Sequence, residues 1–154
     1  MTTLAKWDPT EENHIIIKGY VRALGLYKSL YNYRHAGKVL VFDDADTIFN
    51  DETALNILKA VCDTTERRTV SWLSEYKIVD EDGEILPRHF DFEGTVIFIS
   101  NLDFDDILEK NGKLAPHVSA LMSRSHYINC GLKTKHDYFL RIQQVITSGM
   151  WPPA

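Results

Sequence analysis

Two adjacent acids, Asp43 and Asp44, stand directly after the four apolar residues Val39-Leu40-Val41-Phe42. At the exit of a buried strand such a pair suits divalent-cation chemistry, the first carboxylate holding a hydrated magnesium ion and the second orienting an attacking water. Asn101 ends another apolar run, Val96-Ile97-Phe98-Ile99-Ser100, and its amide suits positioning that same water. Arg124, after Ala120-Leu121-Met122-Ser123, brings a guanidinium of the kind that stabilises charge on a transferring phosphoryl group. Each has a plainer reading, as a solvated turn, a turn-forming Asn or a surface ion-pair partner. A calcium loop counted from Asp44 is excluded, because its sixth position is Phe49 where Gly is needed and its twelfth is Leu55 where Glu is needed.

Positioning these residues requires strands that end where they stand. The β-branched run His14-Ile15-Ile16-Ile17 reads as a first strand ending near Gly19. Leu26, Leu30 and Tyr33, with Tyr27 and Tyr31 beside them, recur at helical spacing up to Gly37. The run before Asp43 is the second strand. A helix follows with Asn50 as N-cap, Asp51 and Glu52 in its first turn, and Leu55, Leu58, Val61 and Cys62 on one face. Between Thr69 and Phe92 the helical period is lost, and Asp82-Gly83 marks a β-hairpin. Thr95-Val96-Ile97-Phe98-Ile99 is the third strand. Short helices are expected over residues 103–110 and 116–122, and a fourth strand over residues 126–130. An amphipathic helix over Lys135–Thr147 should bury Tyr138, Phe139, Ile142, Val145 and Ile146; Trp151-Pro152-Pro153 cannot continue it. Apolar strands alternating with helices imply parallel pairing with helices on both faces, and ligands gather at the carboxyl ends of such strands.

With 154 residues the chain is one domain's worth, enough to remove roughly 70% of its unfolded surface from water. Its 44% hydrophobic and 25% charged composition, with 8 Gly and 5 Pro, excludes collagen-like and disordered classes. The net charge of −5 provides no general attraction to phosphate backbones. Cys62 and Cys130 lack paired spacing and the six His lack ligand spacing, so no metal beyond magnesium is expected. No apolar run approaches the roughly 20 residues of a membrane span, and no export signal opens the chain, which points to the cytoplasm. Tyr20, Tyr27, Tyr31 and Tyr33, interleaved with Lys18, Arg22, Lys28 and Arg34, suit stacking on single-stranded nucleic acid, or simply a helix with buried tyrosines.

The order of these motifs resembles the AAA+ ATPases of the P-loop NTPase superfamily. Val39-Leu40-Val41-Phe42-Asp43-Asp44 looks like their Walker B strand, Asn101 like sensor 1, and Ala120-Leu121-Met122-Ser123-Arg124 like the arginine-finger segment. The resemblance covers about residues 14–147, and its brevity suggests a phage-encoded member acting in the host cytoplasm. It implies a three-layer α/β/α domain spanning 1–154, with a mostly parallel sheet and an inserted β-hairpin. It implies ATP and Mg2+ as cofactors: Asp43 on the magnesium through water, Asp44 as the water-orienting acid, Asn101 as sensor, and Arg124 reaching a neighbouring subunit in a homo- or hetero-oligomer. The loop Tyr20–Leu24 is similar in position to the pore loop that grips nucleic acid or protein.

Two features depart from the family. Position 44 is Asp where Glu is usual, which shortens the reach by one carbon–carbon bond, about 1.5 Å. No Gly-x-x-x-x-Gly-Lys-Ser/Thr occurs, so the amide cradle and lysine for the phosphates are missing. In the family that strand lies between the one delivering Asn101 and the one containing Ile128. Either those two pair directly, another polypeptide fills the slot, or the chain belongs to a longer reading frame. Each case predicts weak or absent ATP binding by this chain alone, an incomplete or split ATPase core. A non-catalytic helper subunit lending Arg124 is one alternative. A haloacid-dehalogenase-type phosphatase, using Asp44-Ala45-Asp46 and Ser100, is the other.

Overall fold

The computed structural model describes residues 3–132 and 134–148. In chain order its elements are α1 (Thr3–Trp7), β1 (His14–Lys18), α2 (Ala23–Asn32), β2 (Val39–Asp43), a 3-10 turn (Asp46–Asn50), α3 (Glu52–Val61), β3 (Thr69–Ser71), β4 (His89–Asp91), β5 (Thr95–Ile99), α4 (Phe104–Glu109), α5 (Ala115–Met122) and α6 (Lys135–Thr147). The fold is α/β, as its alternating pattern requires.

β1, β2 and β5 form a parallel sheet in that order, with β2 central. His14 lies opposite Val39 and Val39 opposite Thr95; four steps on, Lys18 meets Asp43 and Asp43 meets Ile99. Residues so paired share a face. Ile17, Phe42 and Phe98 therefore point the same way, with Phe42 and Phe98 stacked at 5.4 Å between ring centres. On that face Leu26, Tyr27 and Leu30 of α2 join Leu55, Leu58 and Val61 of α3 in one buried cluster. Each wholly buried Leu or Phe of this kind contributes about 1.5–3 kcal/mol relative to exposure.

The hairpin expected between Thr69 and Phe92 is present. β3 pairs antiparallel with β4, a single further bridge joins Val79 to Ile85, and Gly83 takes the left-handed conformation at the tip (φ 84°). Val70, Phe90 and Phe92 return from this excursion into the core. At its end Gly94 admits no side chain, because a Cβ there would stand 2.5 Å from the Tyr33 carbonyl oxygen. That close approach, with the Thr95 N–H donating to the Lys38 carbonyl at 2.8 Å, sets where β5 begins.

Four expectations are corrected. Asp51, not Asn50, caps α3, its Oδ1 accepting from the N–H groups of Thr53 (2.8 Å) and Ala54 (3.3 Å), because the 3-10 turn takes up Asn50. Residues 126–130 form no strand: a strand needs a neighbour for its backbone groups, and β5 is the last strand on that side. α6 forms where expected, with a reciprocal Thr134–Asp137 capping box, yet buries nothing; Phe139 is 65% and Ile142 58% exposed, Tyr138 and Ile146 are exposed, and Val145 is half-buried. No helix of the described residues forms the third layer, since α6 buries no residue: on the sheet's second face Ile16, Ile97 and Ile99 are 39%, 39% and 53% exposed, while His14 and Val41 on that face are buried. The Trp151-Pro152-Pro153 tail lies outside the described residues.

The amino end of β1 is fastened by a buried pair. Asp8 Oδ2 accepts from the N–H groups of Asn13 (2.7 Å) and His14 (3.1 Å) and lies 2.8 Å from His14 Nδ1. Burial alone would raise the Asp8 carboxyl, but the His14 ring and the Asn13 contacts hold it at about 2, against an ordinary 3.8. A depressed carboxyl contributes stability that is present above 3.8 and lost as the pH falls towards about 2. Urea unfolding midpoints should therefore drop across that interval, and Asp8→Asn should flatten the drop; an unchanged acid profile in the variant would contradict this role.

Candidate active site

β2 and β5 deliver their last residues side by side. One step beyond β2, the Asp44 N–H donates to the Ile99 carbonyl at 3.0 Å, which extends the ladder past the strand end. Asp44 then turns into the left-handed region at φ 56°. A side chain there costs on the order of 1–2 kcal/mol, less for Asp, which bonds locally. Its carboxylate is fixed from the neighbouring strand: Asn101 Nδ2 donates to Asp44 Oδ1 at 2.7 Å. Strained backbone and a cross-strand amide–carboxylate bond thus coincide on one residue, as functional sites often require.

Asp43, half-buried, faces Lys18, whose Nζ lies 2.6 Å from Asp43 Oδ2. The hydrogen bond to Asp43, then its charge and that of Asp44, push the Lys18 ammonium above its ordinary range. Lys18 is largely exposed, so the pair adds little stability; its effect is to place a cation against the acids. Asp46 Oδ1 is buried with no hydrogen-bond partner among the described residues. Thr47 Oγ1 accepts from the Val21 N–H and donates to the Val21 carbonyl, both at 3.3 Å, which ties the loop before α2 to the exit of β2; of the expected loop Tyr20–Leu24, Ala23 and Leu24 belong to α2. Tyr20 is exposed, its hydroxyl accepting from Arg22 Nε at 2.7 Å. Tyr27 belongs to the core instead: its hydroxyl donates to the Pro87 carbonyl at 2.8 Å, and burial pushes it up to about 12.

Asp43, Asp44 and Asn101 therefore share one rim, and Arg124 does not. Its Nη1 donates to the Lys59 carbonyl at 3.3 Å, in the last turn of α3, whereas the rim acids precede that helix's first turn. Ten residues of helix, about 15 Å, separate the two ends. α5, which leads to Arg124, packs along α3 and carries the arginine to the end of that helix away from the acids. Lys18 is the rim residue that the site reading of the sequence missed; its signal was its place at the end of β1, matching Asp43 at the end of β2. An open groove of about 560 Å³ between α3 and β3, lined by Thr53, Asn56, Ile57 and Trp72, contains none of these groups.

For a hydrated magnesium ion the rim is chemically suited, because magnesium keeps most of its waters and takes one or two carboxylates. Among the described residues no three acids, histidines or cysteines gather into an all-protein metal site. For a triphosphate the residues do not suffice. Among the described residues no glycine-rich amide cradle stands beside the acids, and the nearby cation Lys18 is engaged by Asp43.

Over 132 residues, 86% of the chain, the sequence is 42% identical to an uncharacterized 36.7 kDa protein in the nrdC-mobD intergenic region of Enterobacteria phage T4. The chain spans 40% of that relative's length. The expected phage character agrees with this similarity. No protein family matches the chain, and no solved structure matches it. Among the described residues no helix is long and apolar enough to cross a membrane.

The strained turn gives a direct check. Asp44→Gly and Asp44→Ala lose the same bond to Asn101, but only Ala retains a Cβ in the left-handed region, so the Gly variant should be the more stable by about 1 kcal/mol in denaturant unfolding. Equal stabilities, or the reverse order, would contradict the backbone described.

Proposed function

We propose that this chain carries the acid–amide half of a magnesium-dependent ATPase site of the AAA+ type, within a P-loop NTPase-like domain, and that the phosphate-holding half comes from other polypeptide. The observation carrying this reading is the 2.7 Å bond from Asn101 to Asp44 across the adjoining ends of two parallel strands, made on a residue whose backbone is strained. Asp43 would hold the hydrated ion, drawing on an oxygen now shared with Lys18. Asp44 would accept a hydrogen bond from a water, aimed by the amide that fixes its other lone pairs. Asn101 would hold that carboxylate still and tell the sheet's end whether the water is in place.

Arg124 stands at the opposite end of α3 with its guanidinium exposed. Any charge it stabilises belongs to a neighbouring subunit, which favours action in an oligomer. The same placement supports the helper-subunit reading, in which Arg124 is the chain's contribution to an intact neighbour. The exposed Tyr20 with Arg22, tied to the rim through Thr47, is the surface through which a nucleic-acid or protein substrate would feel the site.

Manganese, as a paramagnetic stand-in for magnesium, tests the reading on the chain as it exists. It should broaden the amide signals of residues 43, 44 and 101 before others, and Asp43→Asn should abolish that preference. Magnesium–ATP titrated into the chain alone should give no micromolar binding. Broadening spread evenly over the surface acids would overturn the metal assignment, and tight ATP binding by the isolated chain would overturn the division into halves.

A further inference from the structure

Arg124 belongs to a group of cations gathered where α3 and α5 run side by side. Near the starts of the two helices Lys113 Nζ meets Glu52 Oε2 at 2.8 Å, and further along Lys59 Nζ lies 3.1 Å from His117 Nδ1. At the last turn of α3 two guanidiniums converge: Arg124 Nη1 donates to the Lys59 carbonyl at 3.3 Å, and Arg68 Nη1 to the Val61 carbonyl at 3.2 Å. Burial pushes the Cys62 thiol up while Ser125 and the charges of Arg68 and Arg124 oppose the rise, so both arginines stand around one half-buried sulfur. Carbonyls at a helix C-terminus attract cations, which explains why the arginines are held there. It leaves most of their donors unused. A guanidinium carries five N–H donors; Arg124 uses one of them within the chain, and Arg68, which also donates to the Gly94 carbonyl at 3.1 Å, uses two. Among the described residues no carboxylate lies within ion-pair distance of Lys59, Arg68 or Arg124, although the chain's net charge is −5. Across the exposed ridge of α3 lies the groove that Trp72 lines. Ala60, next to Lys59, and Asn56, one turn before it, line the same groove with the hydroxyls of Thr53, Thr69 and Ser71.

We propose that this flank of the molecule binds a single strand of nucleic acid, its phosphates along Lys59, Arg124 and Arg68 and an unpaired base in the groove against Trp72. The cations form a row, since His117 beside Lys59 and Arg124 at the row's end are about 10 Å apart along α5, room for two or three successive phosphates. A row suits a polyanion better than one small anion. The adjoining groove favours nucleic acid over an acidic peptide, because a tryptophan flanked by amide and hydroxyl groups is a surface on which bases stack. None of these contacts reads a base edge, so binding is indifferent to sequence. The overall charge opposes the approach of any polyanion, and attraction is therefore confined to this patch. The site uses none of the residues of the Asp44 rim and needs neither nucleotide nor a neighbouring subunit, so it stands independently of the ATPase reading.

The test titrates the purified chain, without ATP or metal, into a fluorescein-labelled oligothymidylate of about 20 nucleotides and follows anisotropy. Binding should have a dissociation constant on the order of 10 μM and weaken about twentyfold from 50 to 200 mM salt, as three phosphate contacts on a single strand require. Lys59→Gln and Arg124→Gln should each weaken it about fivefold, while Lys59→Arg, which keeps the charge, and Arg141→Gln on α6 bind as the parent does. The unlabelled strand should quench tryptophan fluorescence, and Trp72→Phe should remove that quenching. No binding at 50 mM salt, binding indifferent to Lys59→Gln and Arg124→Gln, or quenching that survives Trp72→Phe would each overturn the proposal. Equal competition by a duplex of the same length or by polyglutamate would overturn it too, leaving a patch that attracts any polyanion.

Discussion

Everything chemically distinctive about this chain depends on the parallel register of β2 with β5. A shift of one residue would turn every side chain of one strand to the other face, separating Phe42 from Phe98 in the core and Asp44 from Asn101 at the rim. The register is pinned at both ends: at the start by Gly94, which alone fits against the Tyr33 carbonyl, and at the finish by the Asp44 N–H on the Ile99 carbonyl. The packing that stabilises the sheet and the bond that defines the site are consequences of the same alignment. Core stability thus supports the cost of a left-handed Asp at the strand exit.

The other edge of the sheet is arranged differently. The Asp8–His14 clasp fixes the start of β1, and four residues on Lys18 arrives opposite Asp43. A short strand fastened at one end by a buried pair carries its terminal cation to a reproducible place. The loop beyond it is held by Thr47, so the exits of β1 and β2 form one connected surface with Tyr20 and Arg22 outermost. Beyond β5, by contrast, no further strand lies among the described residues, and Ile97 and Ile99 are exposed.

What could be read from sequence were the features fixed by local chemistry. Three apolar runs gave three strands, Asp82-Gly83 gave the hairpin tip, and an apolar repeat at helical spacing gave the extent of α6, because branched side chains, left-handed glycine and helical periodicity act within a few residues. The adjacency of Asp43, Asp44 and Asn101 was also legible, since parallel strands of equal length end together. Burial of α6 was not, because an amphipathic pattern states that a face wants a partner without providing one. The same holds for residues 126–130, whose apolar pattern needs a neighbouring strand to become a ladder. Arg124's distance from the rim was hidden for another reason: spacing along the chain does not show that α5 runs beside α3 to its far end. Lys18 was read as part of a basic stretch, and only the register reveals that it faces Asp43.

The central claim is that register alone joins the Asp44 carboxylate to the Asn101 amide. Nuclear magnetic resonance of the Asn101 side-chain amide tests it most directly, through scalar coupling across the hydrogen bond to the Asp44 carboxyl carbon and through exchange with water. The account predicts a measurable coupling, slow exchange of one Nδ2 proton, and loss of both in Asp44→Ala. A side-chain amide that exchanges freely and does not respond to Asp44→Ala would contradict it.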